Sequence, residues 1–101
     1  MRHLASLVFL TGALIGTAHA SEQLAQSKAC LACHAVDQKK VGPAYKEVAK
    51  KYAKQKDAEA YLAKKIREGS TGVWGQIPMP ANAAVNPQEA QTLAKWILSL
   101  K

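Results

Sequence analysis

Two cysteines, Cys30 and Cys33, stand three positions apart, and His34 follows at once. A C-x-x-C-H run is the attachment signature of a c-type haem. Thiols at this spacing can each add across one haem vinyl group, giving two thioether bonds. The next residue then carries an imidazole under the ring plane, with a nitrogen aimed at the iron. Iron held this way is a one-electron centre, and the surrounding chain sets its potential. Other uses of the same residues fit less well. A Cys30–Cys33 disulfide would close a tiny loop and leave His34 without a role. A thioredoxin-like dithiol needs a βαβ setting, and no strand pattern surrounds the motif. A zinc site needs four ligands, whereas the processed chain keeps two cysteines and one histidine.

A second axial ligand would decide what such an iron does. With His34 alone it would keep an open site for small molecules. With a methionine as well it becomes an electron carrier of raised potential. His3, His19 and Met1 all lie in a leader that is expected to be removed, so Met79 is the one remaining methionine. It sits in Ile77-Pro78-Met79-Pro80, an apolar segment stiffened by two prolines. Core filling is the alternative use of a methionine. A soft thioether donor in a proline-braced loop fits iron better, and it favours Fe(II) over Fe(III).

The leader is read from the first twenty residues. Met1-Arg2-His3 is a charged start, Leu4 to Ile15 is an apolar run, and Ala18-His19-Ala20 is a small-x-small site. This predicts a secretory signal peptide, residues 1–20, cleaved after Ala20. The apolar run is too short to span a bilayer, and no later segment is apolar enough, so a soluble exported protein is expected. Removal of twenty residues from 101 leaves 81, residues 21–101, as one domain. A core of that size is marginal on protein alone, and a buried haem would enlarge it. Haem attachment of this kind takes place outside the cytoplasm, so leader and motif agree on the periplasm.

Formal charge is +7, and +6 without Arg2. The lysines are spread over helix faces and do not form a tail. Export and the lack of a binding motif argue against nucleic acid. Most of these charges are solvated faces, and a fraction can steer the protein toward acidic partners.

Four helices are predicted to position the site. The first runs from Glu22 to Ala32 behind Ser21 as N-cap and delivers the cysteines. The second follows Pro43, with Tyr45, Val48, Ala49 and Tyr52 at helical spacing. The third starts behind Asp57, buries Tyr61, Leu62 and Ile66, and stops at Gly69. Asn86, Pro87 and Glu89 then form a capping-box start for the last helix, which buries Leu93, Trp96, Ile97 and Leu100. Trp96 is expected to pack this helix against the first near Leu24 and Ala25. Between Gly69 and Asn86 periodicity is lost, yet Val73, Trp74, Ile77 and Met79 are too apolar for a free loop. A long loop in a small domain is usually functional, and this one is expected to wrap over the haem.

Taken together, Cys30-Leu31-Ala32-Cys33-His34, Val41-Gly42-Pro43-Ala44-Tyr45, Gly72-Val73-Trp74-Gly75-Gln76-Ile77-Pro78-Met79-Pro80 and Ala94-Lys95-Trp96-Ile97-Leu98 resemble the small bacterial class I cytochromes c of the c-551/c-552 group. The resemblance covers essentially all of residues 21–101. It implies an all-α class I cytochrome c fold, about four helices around one covalent haem c. It implies that the Pro43 carbonyl accepts the His34 Nδ1–H, which fixes the tautomer and strengthens the imidazole as a donor. It also implies that the Trp74 indole N–H reaches a haem propionate and that Asn82 orients the Met79 sulfur. Lys65 stands where a relative has a cation on the other propionate. The chain departs from the pattern at two places. Ala29 replaces a glycine common before the first cysteine, which predicts a slightly wider helix crossing. Ala81 replaces a second proline, which predicts a looser loop over residues 82–85.

The implied function is that of a soluble periplasmic shuttle, a monomer with no membrane span and no catalytic residues. Its donor would be of the quinol–cytochrome c oxidoreductase class. Its acceptor would be a terminal oxidase, a nitrite reductase or a cytochrome c peroxidase. Rivals are a haem protein with an open distal site, working as a peroxidase-like enzyme or gas sensor, a dithiol oxidoreductase, and a fixed relay within a larger complex. Docking is expected at an apolar edge made by Leu31, Ala32, Val41, Ile77, Pro78 and Pro80, rimmed by Lys28, Lys39 and Lys40.

Overall fold

A computed structural model describes residues 17–101. The expected signal peptide therefore lies, over residues 1–16, outside the described residues. Helix α1 spans Thr17–Ser27, α2 Tyr45–Tyr52, α3 Ala58–Glu68 and α4 Pro87–Ser99, with a short 3-10 turn at Cys30–Ala32. Among the described residues there is no β-strand; the one sheet-like pairing is an isolated antiparallel bridge, Ser70 to Met79.

The start and the end of α1 both differ from expectation. The chain is already helical at Thr17, the first described residue, so Ser21 lies inside the helix and is 6% exposed. No proline or glycine separates Thr17-Ala18-His19-Ala20 from Ser21-Glu22-Gln23-Leu24, and the helical path continues through. At the other end α1 stops at Ser27, well short of Ala32. Ala29 has φ 62° and ψ 16°, a left-handed conformation, which turns the chain before the cysteines. That is the usual way a helix ends, but the usual residue is glycine. Alanine, the strongest helix former, hides the stop from a reading of the sequence. Ala29 thus acts on the backbone path into the cysteine turn.

The other three helices lie within a residue of where their patterns place them. In α2 the four residues at helical spacing, Tyr45, Val48, Ala49 and Tyr52, are all buried. Their spacing puts them on one face, and Lys50 and Lys51 fall on the exposed side. Asp57 stands at the N-cap of α3 without a side-chain bond to the first turn. Leu62 and Ile66 are buried, while Tyr61 is half-buried. The α4 capping box is complete: the Asn86 side chain accepts from Glu89 N at 2.8 Å, and Glu89 Oε1 accepts from Asn86 N at 3.1 Å.

Helix α4 is the hub. It packs on α1, α2 and α3, and Leu93 (1% exposed) and Ala94 (0%) lie at the centre. Trp96 meets Tyr45 of α2 edge-on, with centroids 5.5 Å apart, so its ring partner is on α2. It shares one core cluster with Ala25 and Leu24 of α1.

The stretch from Gly69 to Asn86 carries no helix. Its base is closed by two hydrogen bonds, Ser70 N to Met79 O at 3.0 Å and Met79 N to Ser70 O at 2.9 Å. Gly69, with φ 80°, makes this closure possible, because a Cβ there would run into the Met79 carbonyl. Residues 82–85 are not loose. Asn82 N donates to Ile66 O at 3.2 Å, Lys28 Nζ to Ala84 O at 2.9 Å, and Val85 is 2% exposed. Tertiary hydrogen bonds supply the stiffness that a second proline would have given.

Candidate haem site

A cavity of about 480 Å³ opens between the helices and the long loop. Cys30, Cys33, His34 and Met79 all line it. The 3-10 turn brings the first three to one wall, held by bonds from Cys33 N and His34 N to Cys30 O at 3.2 and 3.0 Å. Met79 arrives from the far end of the chain, fixed by the Ser70 bridge. Leu62, Ile66, Leu93 and Ile97 supply apolar wall. A volume of this size and character suits a large, mostly apolar ligand.

The His34 ring is fixed on three sides. Nδ1 lies 2.8 Å from the Pro43 carbonyl oxygen. A carbonyl can only accept, so Nδ1 carries the proton, and in the neutral ring Nε2 keeps its lone pair. Tyr45 stacks on the imidazole, with centroids 4.8 Å apart and planes 16° from parallel. Gly42 closes the third side: a Cβ there would come within 2.6 Å of Cε1. The loop that makes this pocket is itself tied down, by Gly42 N to Cys33 O at 2.8 Å and Tyr45 N to Ala35 O at 2.9 Å.

Both thiols are free and half-buried. Burial pushes the Cys30 thiol up, opposed by a hydrogen bond with Tyr45. Tyr45 is held well above the ordinary phenol range, chiefly by burial. Tyr52 is pushed up to about 12 by burial and a hydrogen bond with Tyr61. Both tyrosines are therefore neutral ring walls at any physiological pH.

Trp74, Asn82 and Lys65 also line the cavity. Trp74 is 39% exposed, with the Lys51 ammonium 4.7 Å from its ring centre. Asn82 Nδ2 donates to Lys28 O at 3.0 Å, and its Oδ1 accepts from Ala84 N at 3.2 Å. One of the two Nδ2 protons is thereby used to tie the loop to the end of α1. Lys65 lies over the Tyr61 ring at 5.3 Å.

The apolar edge residues Val41 and Ile77 are 54% and 67% exposed, and Ala32, Pro78 and Pro80 are exposed as well. Lys28 does not belong to their rim. Its ammonium is held internally by Ala84 O and by Glu89 Oε2 at 3.3 Å. Lys40 reaches back to Leu31 O at 3.0 Å and stands at the edge. Reading the sequence missed Gly42 and Tyr45 as walls of the histidine pocket. Their nearness to Pro43 in sequence was the available signal.

The cavity, its paired thiols and the oriented imidazole match the chemistry of covalent haem attachment. Comparison with known proteins agrees. The cytochrome c family profile matches residues 18–101. The chain belongs to the cytochrome c family, in its class I c-551/c-552 group, and carries a covalently bound haem c. It is 57% identical to cytochrome c-552 of Hydrogenobacter thermophilus over 95 residues, 94% of this chain and 95% of that protein. It is 64% identical to cytochrome c-551 of Pseudomonas aeruginosa over 80 residues, 79% of this chain and 76% of that protein. Among solved structures, wild-type Nitrosomonas europaea cytochrome c552 superposes with a TM-score of 0.78 at 56% identity, covering 79% of this chain and 99% of that one. The fold is accordingly the small all-α cytochrome fold, and the relatives are electron-transfer haem proteins.

Proposed function

We propose that the protein is a periplasmic single-electron carrier, with haem c attached at Cys30 and Cys33 and its iron held by His34 and Met79. When bound, the haem supplies a reversible one-electron iron couple. The rest is done by the chain. The observation that carries the reading is the His34 pocket: a protonated Nδ1 on the Pro43 carbonyl commits Nε2 to the cavity that Met79 also lines. A hydrogen bond from the distal nitrogen to a carbonyl fixes a ligating histidine and raises its basicity. The Met79 thioether, a soft donor, favours the reduced state. Apolar walls exclude water and so limit reorganisation around a changing charge. The Trp74 indole and Lys65 ammonium at the cavity are donors suited to the two haem carboxylates, and the spare Asn82 Nδ2 proton is suited to the methionine sulfur.

Export is supported by the Arg2-led apolar leader with its Ala-His-Ala site. Removal after Ala20 would leave α1 to start near Ser21. Among the described residues no helix is long and apolar enough to cross a membrane. Exposed Val41, Ile77 and Pro78, flanked by Lys39 and Lys40, suit a brief apolar contact with an acidic redox partner. That partner would be a quinol–cytochrome c oxidoreductase on the donor side, and a terminal oxidase, nitrite reductase or cytochrome c peroxidase on the acceptor side.

The test is intact mass with spectroscopy. Periplasmic protein should weigh the chain from Ser21 plus one haem, with the haem resistant to acid–acetone. The oxidised protein should show the far-red sulfur-to-iron band, and Met79→Ala should abolish it and lower the potential. A Met79→Ala variant with the wild-type band and potential refutes the ligand assignment and returns the open-site reading.

A further inference from the structure

The segment 71–78 covers one side of the cavity, yet very little holds it. Its base is the Ser70–Met79 bridge. Between those residues, Thr71 to Pro78 make no hydrogen bond or ion pair among the described residues. Gly72 and Gly75 flank Trp74 with φ 74° and 116°, and both have open space around them. Both are conformations an L-residue rarely adopts. The segment is thus a flap with a glycine on each side of its one large ring.

One polar contact from the chain itself reaches that ring, beside the proposed bond from its indole N–H to a haem carboxylate. Lys51, in the last turn of α2, places its ammonium 4.7 Å from the Trp74 centroid and 6.0 Å from that of Tyr52. Lys51 makes no ion pair among the described residues, unlike Lys46, Lys50 and Lys64. Trp74 is the best of the aromatic faces for a cation, and contacts within about 6 Å count. The ammonium thus sits between an aromatic of the flap and an aromatic of the rigid helix. Tyr52 is 6% exposed and hydrogen-bonded with Tyr61, so the helix side of this contact is anchored in the core.

We infer that Lys51 is the clamp of this flap: a positioning residue that holds Trp74, and with it the 71–78 segment, shut over the haem cavity. The inference rests on the haem-site reading above, because the flap leads directly into Met79. Met79 is the last residue before the exposed Pro80, so a flap that swings open pulls on the backbone carrying the proposed iron ligand. Lys51 then governs how often the methionine side of the site opens, without touching the iron.

The test uses the oxidised holoprotein with imidazole as the probe. Imidazole can bind only when the methionine side opens, so its uptake rate reads the opening. Lys51→Met, which keeps the length of the side chain, should speed uptake about two- to fivefold, the factor an exposed cation–ring contact is worth. It should also shift the Trp74 indole N–H resonance and speed its hydrogen exchange by a similar factor. Lys51→Arg, which can stack on the same ring, should restore all three. Lys54→Met, which removes an exposed lysine in the turn after α2, should leave them at wild-type values. An unchanged Trp74 signal and exchange rate in Lys51→Met overturns the clamp, as does an equal effect from Lys54→Met. If the methionine ligation itself is wrong, wild-type protein will take up imidazole with no slow opening step. The Trp74 exchange rate then still decides whether Lys51 holds the flap.

Discussion

Replacing Ala29 with glycine should stabilise this protein, although glycine normally weakens a chain. Ala29 is the one described non-glycine residue with positive φ. An L-residue in the left-handed region carries roughly 1–2 kcal/mol of steric cost that glycine does not. Glycine's extra freedom in the unfolded chain takes back about 0.5–1 kcal/mol. Ala29 is exposed, so losing its methyl removes little buried area. The net is a gain centred on about 0.75 kcal/mol within a span of roughly 0–1.5 kcal/mol, or roughly 3–6 °C in melting temperature at the centre for a domain of this size. Denaturant unfolding of the holoprotein, followed by circular dichroism, should show a higher midpoint with unchanged slope. Ala29→Val should move the midpoint the other way, since a β-branched residue tolerates this conformation worst. A midpoint that falls in Ala29→Gly would mean that the residue is not left-handed. The break between α1 and the cysteine turn would then be wrong.

Three further expectations follow from the geometry. Gly42→Ala would put a Cβ 2.6 Å from His34 Cε1, so the imidazole or the loop must shift; a changed midpoint potential with a weakened His34 Nδ1–H signal is expected, and unchanged values of both would refute the tight pocket. Glu89 is held below the usual carboxylate range, first by the Asn86 backbone N–H and then by Lys28. A carboxylate lowered by folding stabilises at neutral pH, and that contribution is lost as pH falls through its folded value. Glu89→Gln keeps a capping acceptor but loses the charge, so its deficit against wild type should shrink as pH falls from neutral through the carboxylate's folded value; a constant deficit in urea unfolding would contradict this. Trp96→Ala should cost roughly 3–5 kcal/mol, the range for a buried large aromatic, with little change in potential while the fold holds. Unchanged thermal stability would disprove its packing on Tyr45.

What could be read in the sequence was what is local. The C-x-x-C-H spacing is set by covalent geometry, and so needs no tertiary context. The α4 capping box involves four consecutive residues, and the α2 and α3 stripes follow from 3.6-residue periodicity. Met79 stood out because a short chain offers so few soft donors. What the tertiary structure alone decided is where residues far apart in sequence meet. Lys28 looked like a steering charge until it was seen bonded to Ala84 and Glu89. Asn82 spends an amide proton on a carbonyl 54 positions away. Lys51 became a clamp only because the flap brings Trp74 onto it. Ala29 is the sharpest case. Its intrinsic preference is for helix, and it is overridden because the cysteines must leave the axis of α1 to reach the cavity wall. Local preferences are worth tenths of a kcal/mol per residue, and docking the helices around a shared cavity outweighs them.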